Sequence, residues 1–134
     1  MNQYKQQIHE FIAAHKDEMI EKWKTLVNLE DYFDEQENVE KVAAYLKAEF
    51  ESEGFECHIE PSPVKRAGVL VGILGKERKN APVLFSGHMD TVHPTGCFGG
   101  PNPFKIENGK AYGPGVLDMK GGIIIALYVA KALN

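Results

Sequence analysis

A change of hydrophobic period at Gly54 constrains this chain more than any other feature. Before it, Ile8, Phe11, Ile12, Met19, Ile20, Trp23, Leu26 and Val27 recur three and four apart, the apolar stripe of one amphipathic helix or of two abutting ones. The acidic, turn-rich stretch 30–35 interrupts that stripe and offers N-caps to a second helix carrying Val39, Val42, Ala43, Leu46 and Phe50, with Gly54 as its stop. Beyond Gly54, Phe55, Cys57 and Ile59 alternate with Glu56, His58 and Glu60, as in a half-exposed strand. Residues 68–75 and 82–87 are short, nearly continuous apolar runs bounded by Gly and Pro, the pattern of strands buried on both faces. A last apolar segment, from about Met119 to Leu133, reads as a helix. Helices, buried strands and a closing helix predict an α/β fold with a layered sheet.

Length and composition narrow the classes. A chain of 134 residues makes one domain or part of one, and folding at this size buries about two thirds of the unfolded surface. With 43% hydrophobic and 25% charged residues the chain is neither disordered nor fibrous. Its net charge is −4 and its 15 Lys and Arg are scattered, which argues against nucleic acid and anionic membrane as partners. The longest apolar stretch, Ile123 to Ala130, falls short of the roughly 20 residues of a membrane span. The polar N-terminal stretch lacks the apolar core of a signal peptide, so the expected compartment is the cytoplasm. Cys57 and Cys97 have no CxxC spacing and are expected to be reduced thiols.

Between Thr91 and Pro103 lies a loop rich in Gly and Pro, and Asn108-Gly109 between two alternating segments predicts a hairpin. Chemistry-bearing residues flank this region. His88 follows the 83–87 run, so its ring projects from a strand end, where open α/β sheets place ligands. Asp90, two residues on, can accept a hydrogen bond from one ring nitrogen and so fix the tautomer of an imidazole that binds metal through the other. Taken alone, the two are equally an ordinary loop pair. Asp118 follows a glycine-rich turn and precedes the last helix; its carboxylate can bridge two metal ions or simply cap the helix. The pair Gly113 and Gly115 lacks the further residues of a phosphate loop. His93 and Cys97 lie on the loop beside the site, and Lys120 is placed to hold it or to be solvated.

Taken together, Ser86-Gly87-His88-Met89-Asp90-Thr91-Val92 and Gly113-Pro114-Gly115-Val116-Leu117-Asp118-Met119-Lys120-Gly121-Gly122 resemble the zinc-dependent exopeptidase and deacylase superfamily of acetylornithine deacetylase, succinyl-diaminopimelate desuccinylase and the glutamate carboxypeptidases. The resemblance is close over residues 83–122 and looser over the opening. It implies that His88 is a zinc ligand, that Asp90 orients it, that Asp118 bridges two zinc ions, and that the Asp118–Met119 peptide bond is cis. Pro114, where deacetylase members often carry Arg, and the run 104–107 look more like the glutamate carboxypeptidase branch. The implied fold is the layered helix-sheet-helix catalytic domain of that superfamily, truncated, without its smaller dimerisation domain.

The superfamily's Glu-Glu pair and distal ligands have no counterpart here, since after Asp118 only Lys120, Tyr128 and Lys131 can ionise. Residues 1–134 are therefore expected to be the N-terminal portion of a dizinc peptidase catalytic domain, inactive alone. The expected substrate is a peptide or N-acyl amino acid and the expected cofactor zinc, with cobalt or manganese also suited to such ligands. The alternative is a non-catalytic metal-binding or partner-binding module, completed by a homo-oligomer or a second chain.

Overall fold

A computed structural model describes residues 3–64 and 66–134. It is an α/β arrangement of three helices and two strand pairs. The helical stripe forms a single helix, α1 (Gln3–Asn28), which ends where Asn28 turns its side chain to accept from the Phe104 amide at 2.9 Å. The second stripe forms α2 (Gln36–Ser52). The acidic stretch provides Glu35 at the N-cap position, but its side chain caps no helical amide; it accepts instead from Asn38 Nδ2 at 2.6 Å. Gly54 does end this region: at φ 86° it takes the left-handed conformation while the amides of Glu53, Gly54 and Phe55 close the last carbonyls.

The strand β1 (Glu56–Glu60) pairs antiparallel with β2 (Val69–Ile73), Cys57 opposite Gly72 and Ile59 opposite Leu70. The 68–75 run was expected to be buried on both faces, yet Val69, Gly72 and Ile73 are exposed and the other residues of the run are no more than half-buried. A two-stranded antiparallel sheet with one face against α2 leaves the other face to solvent, so neither β1 nor β2 is fully buried. The 82–87 run departs further from expectation. It forms no strand, and Val83 and Leu84 are about four-fifths exposed; no described residue pairs with its backbone as a ladder, and Pro82 has no amide to give.

Two segments match their sequence signals closely. Strands β3 (Lys105–Glu107) and β4 (Lys110–Tyr112) pair antiparallel around Asn108 and Gly109, both at positive φ, as the Asn-Gly signal requires. The last helix, α3 (Gly121–Leu133), starts two residues later than its apolar pattern suggested, because Asp118 and Met119 have non-helical dihedrals within a wide turn over 116–120. The core lies where α1, α2 and α3 meet: Leu26, Val42, Leu46, Ile124, Leu127 and Tyr128 form one buried cluster. Each fully buried aliphatic side chain there contributes about 1.5–3 kcal/mol. Among the described residues no helix is long and apolar enough to cross a membrane.

Candidate metal and substrate cleft

Two loops carry the site. The first runs from the end of the 82–87 segment into a parallel bridge between Thr91 and Tyr32, where the Thr91 amide donates to the Asp31 carbonyl at 2.9 Å and the Phe33 amide to the Thr91 carbonyl at 2.8 Å. The second is the turn that follows β4. Gly113 and Gly115 build it at φ 148° and 67°; a Cβ on Gly113 would meet Val27 Cγ1 at 2.5 Å and one on Gly115 would meet Thr91 Cγ2 at 2.7 Å. The glycine-rich stretch is therefore explained by close packing of the turn on α1 and on the first loop.

This packing brings His88 and Asp118 together, 30 residues apart in sequence, with Nε2 at 3.0 Å from Asp118 Oδ1. The other ring nitrogen, Nδ1, lies 2.9 Å from the Asp90 backbone carbonyl and 3.4 Å from Asp90 Oδ1. Asp90 thus faces His88 Nδ1, with its main-chain oxygen as the nearer acceptor. The His88 amide points at Met119 Sδ, 3.4 Å away, and the Asp118–Met119 peptide bond is cis. Both ring nitrogens face oxygen acceptors, an arrangement that favours the protonated imidazole. The hydrogen bond with Asp118 accordingly raises the His88 pKa, against the smaller opposing effect of burial and with further help from the Asp90 carbonyl.

His88, Asp90 and Asp118 line one cleft of about 250 Å³, joined by Thr91, His93 and Leu117. His93 meets Phe98 edge-on at 5.1 Å between ring centres, whereas Cys97 is exposed on the loop and does not line the cleft. An imidazole nitrogen and a carboxylate oxygen converging at 3.0 Å have the donor chemistry of a divalent metal site. They fit as part of one: no group of three or more His, Cys, Asp or Glu that could hold a metal occurs among the described residues.

Behind the cleft sits an element the sequence concealed. Lys120 and Asp31 are both fully buried, with Nζ 2.8 Å from Asp31 Oδ1 and also donating to the Leu29 carbonyl at 2.8 Å. The approach to Asp31 is an ion pair without hydrogen-bond alignment, and neither carboxylate oxygen accepts an aligned hydrogen bond. Burial therefore dominates both partners: it pushes the Asp31 carboxyl up to about 6 in spite of Lys120, and lowers the Lys120 ammonium in spite of Asp31. In the sequence Asp31 is one of several acidic residues in a turn, and nothing local marks it as the one that meets a lysine 89 positions away.

Residues 84–134, which contain both loops, match the peptidase family M20/M25/M40. The chain belongs to this superfamily. It is 36% identical over 120 residues to carboxypeptidase G2 of Pseudomonas sp. (strain RS-16), which covers 87% of the chain and 28% of that protein. It is also 36% identical over 98 residues to succinyl-diaminopimelate desuccinylase of Rickettsia typhi, covering 67% of the chain and 24% of the relative. The chain spans about a quarter of the length of these M20 relatives. His88, Asp90, Asp118 and Lys120 all lie inside the M20 match, and Asp31 lies before it.

Proposed function

We propose that this chain supplies one wall of the active site of a metal-dependent amide hydrolase, a glutamate-carboxypeptidase-like exopeptidase acting on peptides or N-acyl amino acids. The observation that carries this reading is the convergence of His88 and Asp118 on one cleft at 3.0 Å, within the matched stretch. Carboxypeptidase G2 and the desuccinylase support the class of substrate by name. On this reading the two antiparallel strand pairs and the 82–87 run belong to a layered helix-sheet-helix catalytic domain.

In this scheme His88 Nε2 and Asp118 would hold a divalent ion, zinc being favoured for a mixed nitrogen and oxygen donor set. When bound, such an ion supplies Lewis acidity toward an amide carbonyl and acidifies water. The protein's own contributions are positional. Nδ1–H donates to the Asp90 carbonyl, which fixes the tautomer and leaves Nε2 as the metal-facing atom. Asp118, more than four-fifths exposed, presents its carboxylate to the cleft, and the Asp90 carboxylate adds negative charge beside the ring. His93 and Leu117 form the cleft walls that a substrate side chain would meet. With two donors and no general base in place, these 134 residues alone do not turn over.

The test is a zinc titration of the chain followed by calorimetry, beside His88→Ala and Asp118→Ala. Binding that weakens at least tenfold in each variant supports the reading, and binding equal in all three proteins refutes it. A second reading, a module that docks on another chain, draws on the exposed apolar run at Val83 and Leu84. It predicts zinc binding independent of His88.

A further inference from the structure

The two loops that carry His88 and Asp118 share no backbone ladder with each other. Each is tied to a third segment, residues 29–33. On the first loop the tie is the main-chain bridge of Thr91 to Asp31 and Phe33. The 116–120 turn is tied to the same segment through one side chain, Lys120, which reaches the Leu29 carbonyl and the Asp31 carboxylate. Apart from its contacts with the first loop at His88 and Thr91, the turn is also held by Trp23 Nε1, which donates to the Val116 carbonyl at 3.2 Å, two residues before Asp118.

A cation with no exposed surface is a poor choice for packing alone, since a methionine or leucine would fill the space without desolvation. What the ammonium adds is a directed hydrogen bond to the Leu29 carbonyl and a charge 2.8 Å from Asp31 Oδ1, both on the segment that also fixes Thr91. We propose that Lys120 and Asp31 are positioning residues that set the separation of His88 from Asp118. They hold both loops against one common anchor so that the two donors face the cleft together. The consequence for metal affinity rests on the functional reading given above; the consequence for the His88–Asp118 contact does not.

Three proteins decide it: the double variant Asp31→Leu/Lys120→Met, the near-isosteric Asp31→Asn, and Asp118→Ala as the reference for a His88 ring without its partner. Three quantities are read: the urea midpoint, the His88 Nε2 nitrogen shift in metal-free protein at one fixed pH, and the dissociation constant for Zn²⁺ alone. The double variant replaces a buried ion pair by apolar side chains, so its midpoint is expected to match or exceed that of the unmodified chain. Its His88 shift is expected to move to the value seen in Asp118→Ala, and its zinc affinity to fall about tenfold or more, as for other residues that orient metal ligands. A merely structural pair would give the opposite result, with shift and affinity returning together with the midpoint, and that would overturn the proposal. Should the double variant not fold, Asp31→Asn decides by the same shift and affinity. If the unmodified chain binds zinc no better than His88→Ala, the metal reading fails, and the His88 shift alone still decides whether Lys120 and Asp31 position the ring against Asp118.

Discussion

Replacing Lys120 by Met leaves the packing volume nearly intact and removes the only cation, among the described residues, paired with the Asp31 carboxylate, which has no exposed surface. Breaking a buried pair by deleting one partner costs about 3–5 kcal/mol, because the other charge stays buried without compensation. The Asp31 carboxyl offers an escape, since it can take a proton instead. It stands at about 6 already with Lys120 present, and loss of the coulombic attraction raises it further. A carboxyl raised in the folded state favours folding below its unfolded value, and that benefit is lost as pH climbs through the folded value. In the unmodified chain the loss is complete just above pH 6. In Lys120→Met it continues above that, at up to ~1.4 kcal/mol per pH unit. The destabilisation should therefore widen between pH 6 and pH 8 and reach the 3–5 kcal/mol range at the upper end. Urea unfolding followed through Trp23 fluorescence suits the purpose, because the indole touches the same turn through Val116. Making both proteins in a His88→Ala background removes the imidazole's own titration from the comparison. A cost below about 1 kcal/mol at pH 8, or an equal cost at pH 6 and pH 8, would refute the argument.

Gly115→Ala forces a Cβ to within 2.7 Å of Thr91 Cγ2 at a φ of 67°, so it should cost about 1–3 kcal/mol and weaken zinc binding together, read by urea unfolding and calorimetry. Asp118→Asn withdraws the carboxylate whose hydrogen bond raises the His88 pKa, so that pKa should move down toward its ordinary value; its proton chemical shifts against pH give the answer, and an unmoved midpoint would show that Asp118 is not the cause.

What was legible in the sequence was whatever its local physics decides. The three and four spacing of Leu26, Val42 and Leu46 placed the core stripes, Gly54 the end of α2, and Asn108-Gly109 the hairpin, because each depends on neighbours a few residues away. His88 and Asp118 stood out in the sequence because their surrounding motifs are distinctive, but their mutual distance depends on how Gly113 lets the turn settle on α1 and Gly115 lets it settle on the first loop. The strand runs misled for a related reason. An apolar run such as 82–87 records what a segment is suited to pack against, and the described residues supply no ladder for it. Asp31 was invisible as a partner of Lys120, since an acidic turn and a buried ion pair are written with the same residue type.

The spans of the contacts that frame the cleft say something about when it appears. His88 to Asp118 closes 30 residues, Phe104 to Asn28 closes 76, and Lys120 to Leu29 closes 91. Helices α1 and α2 and the β3–β4 hairpin need only nearby residues and can form within microseconds. The cleft needs loops of 76 and 91 residues to be closed first, and closing long loops carries an entropic cost that local elements avoid. During synthesis Thr91 reaches Asp31 before Lys120 is made, so the first loop can be anchored early, and the cleft closes only when the 116–120 turn arrives together with α3.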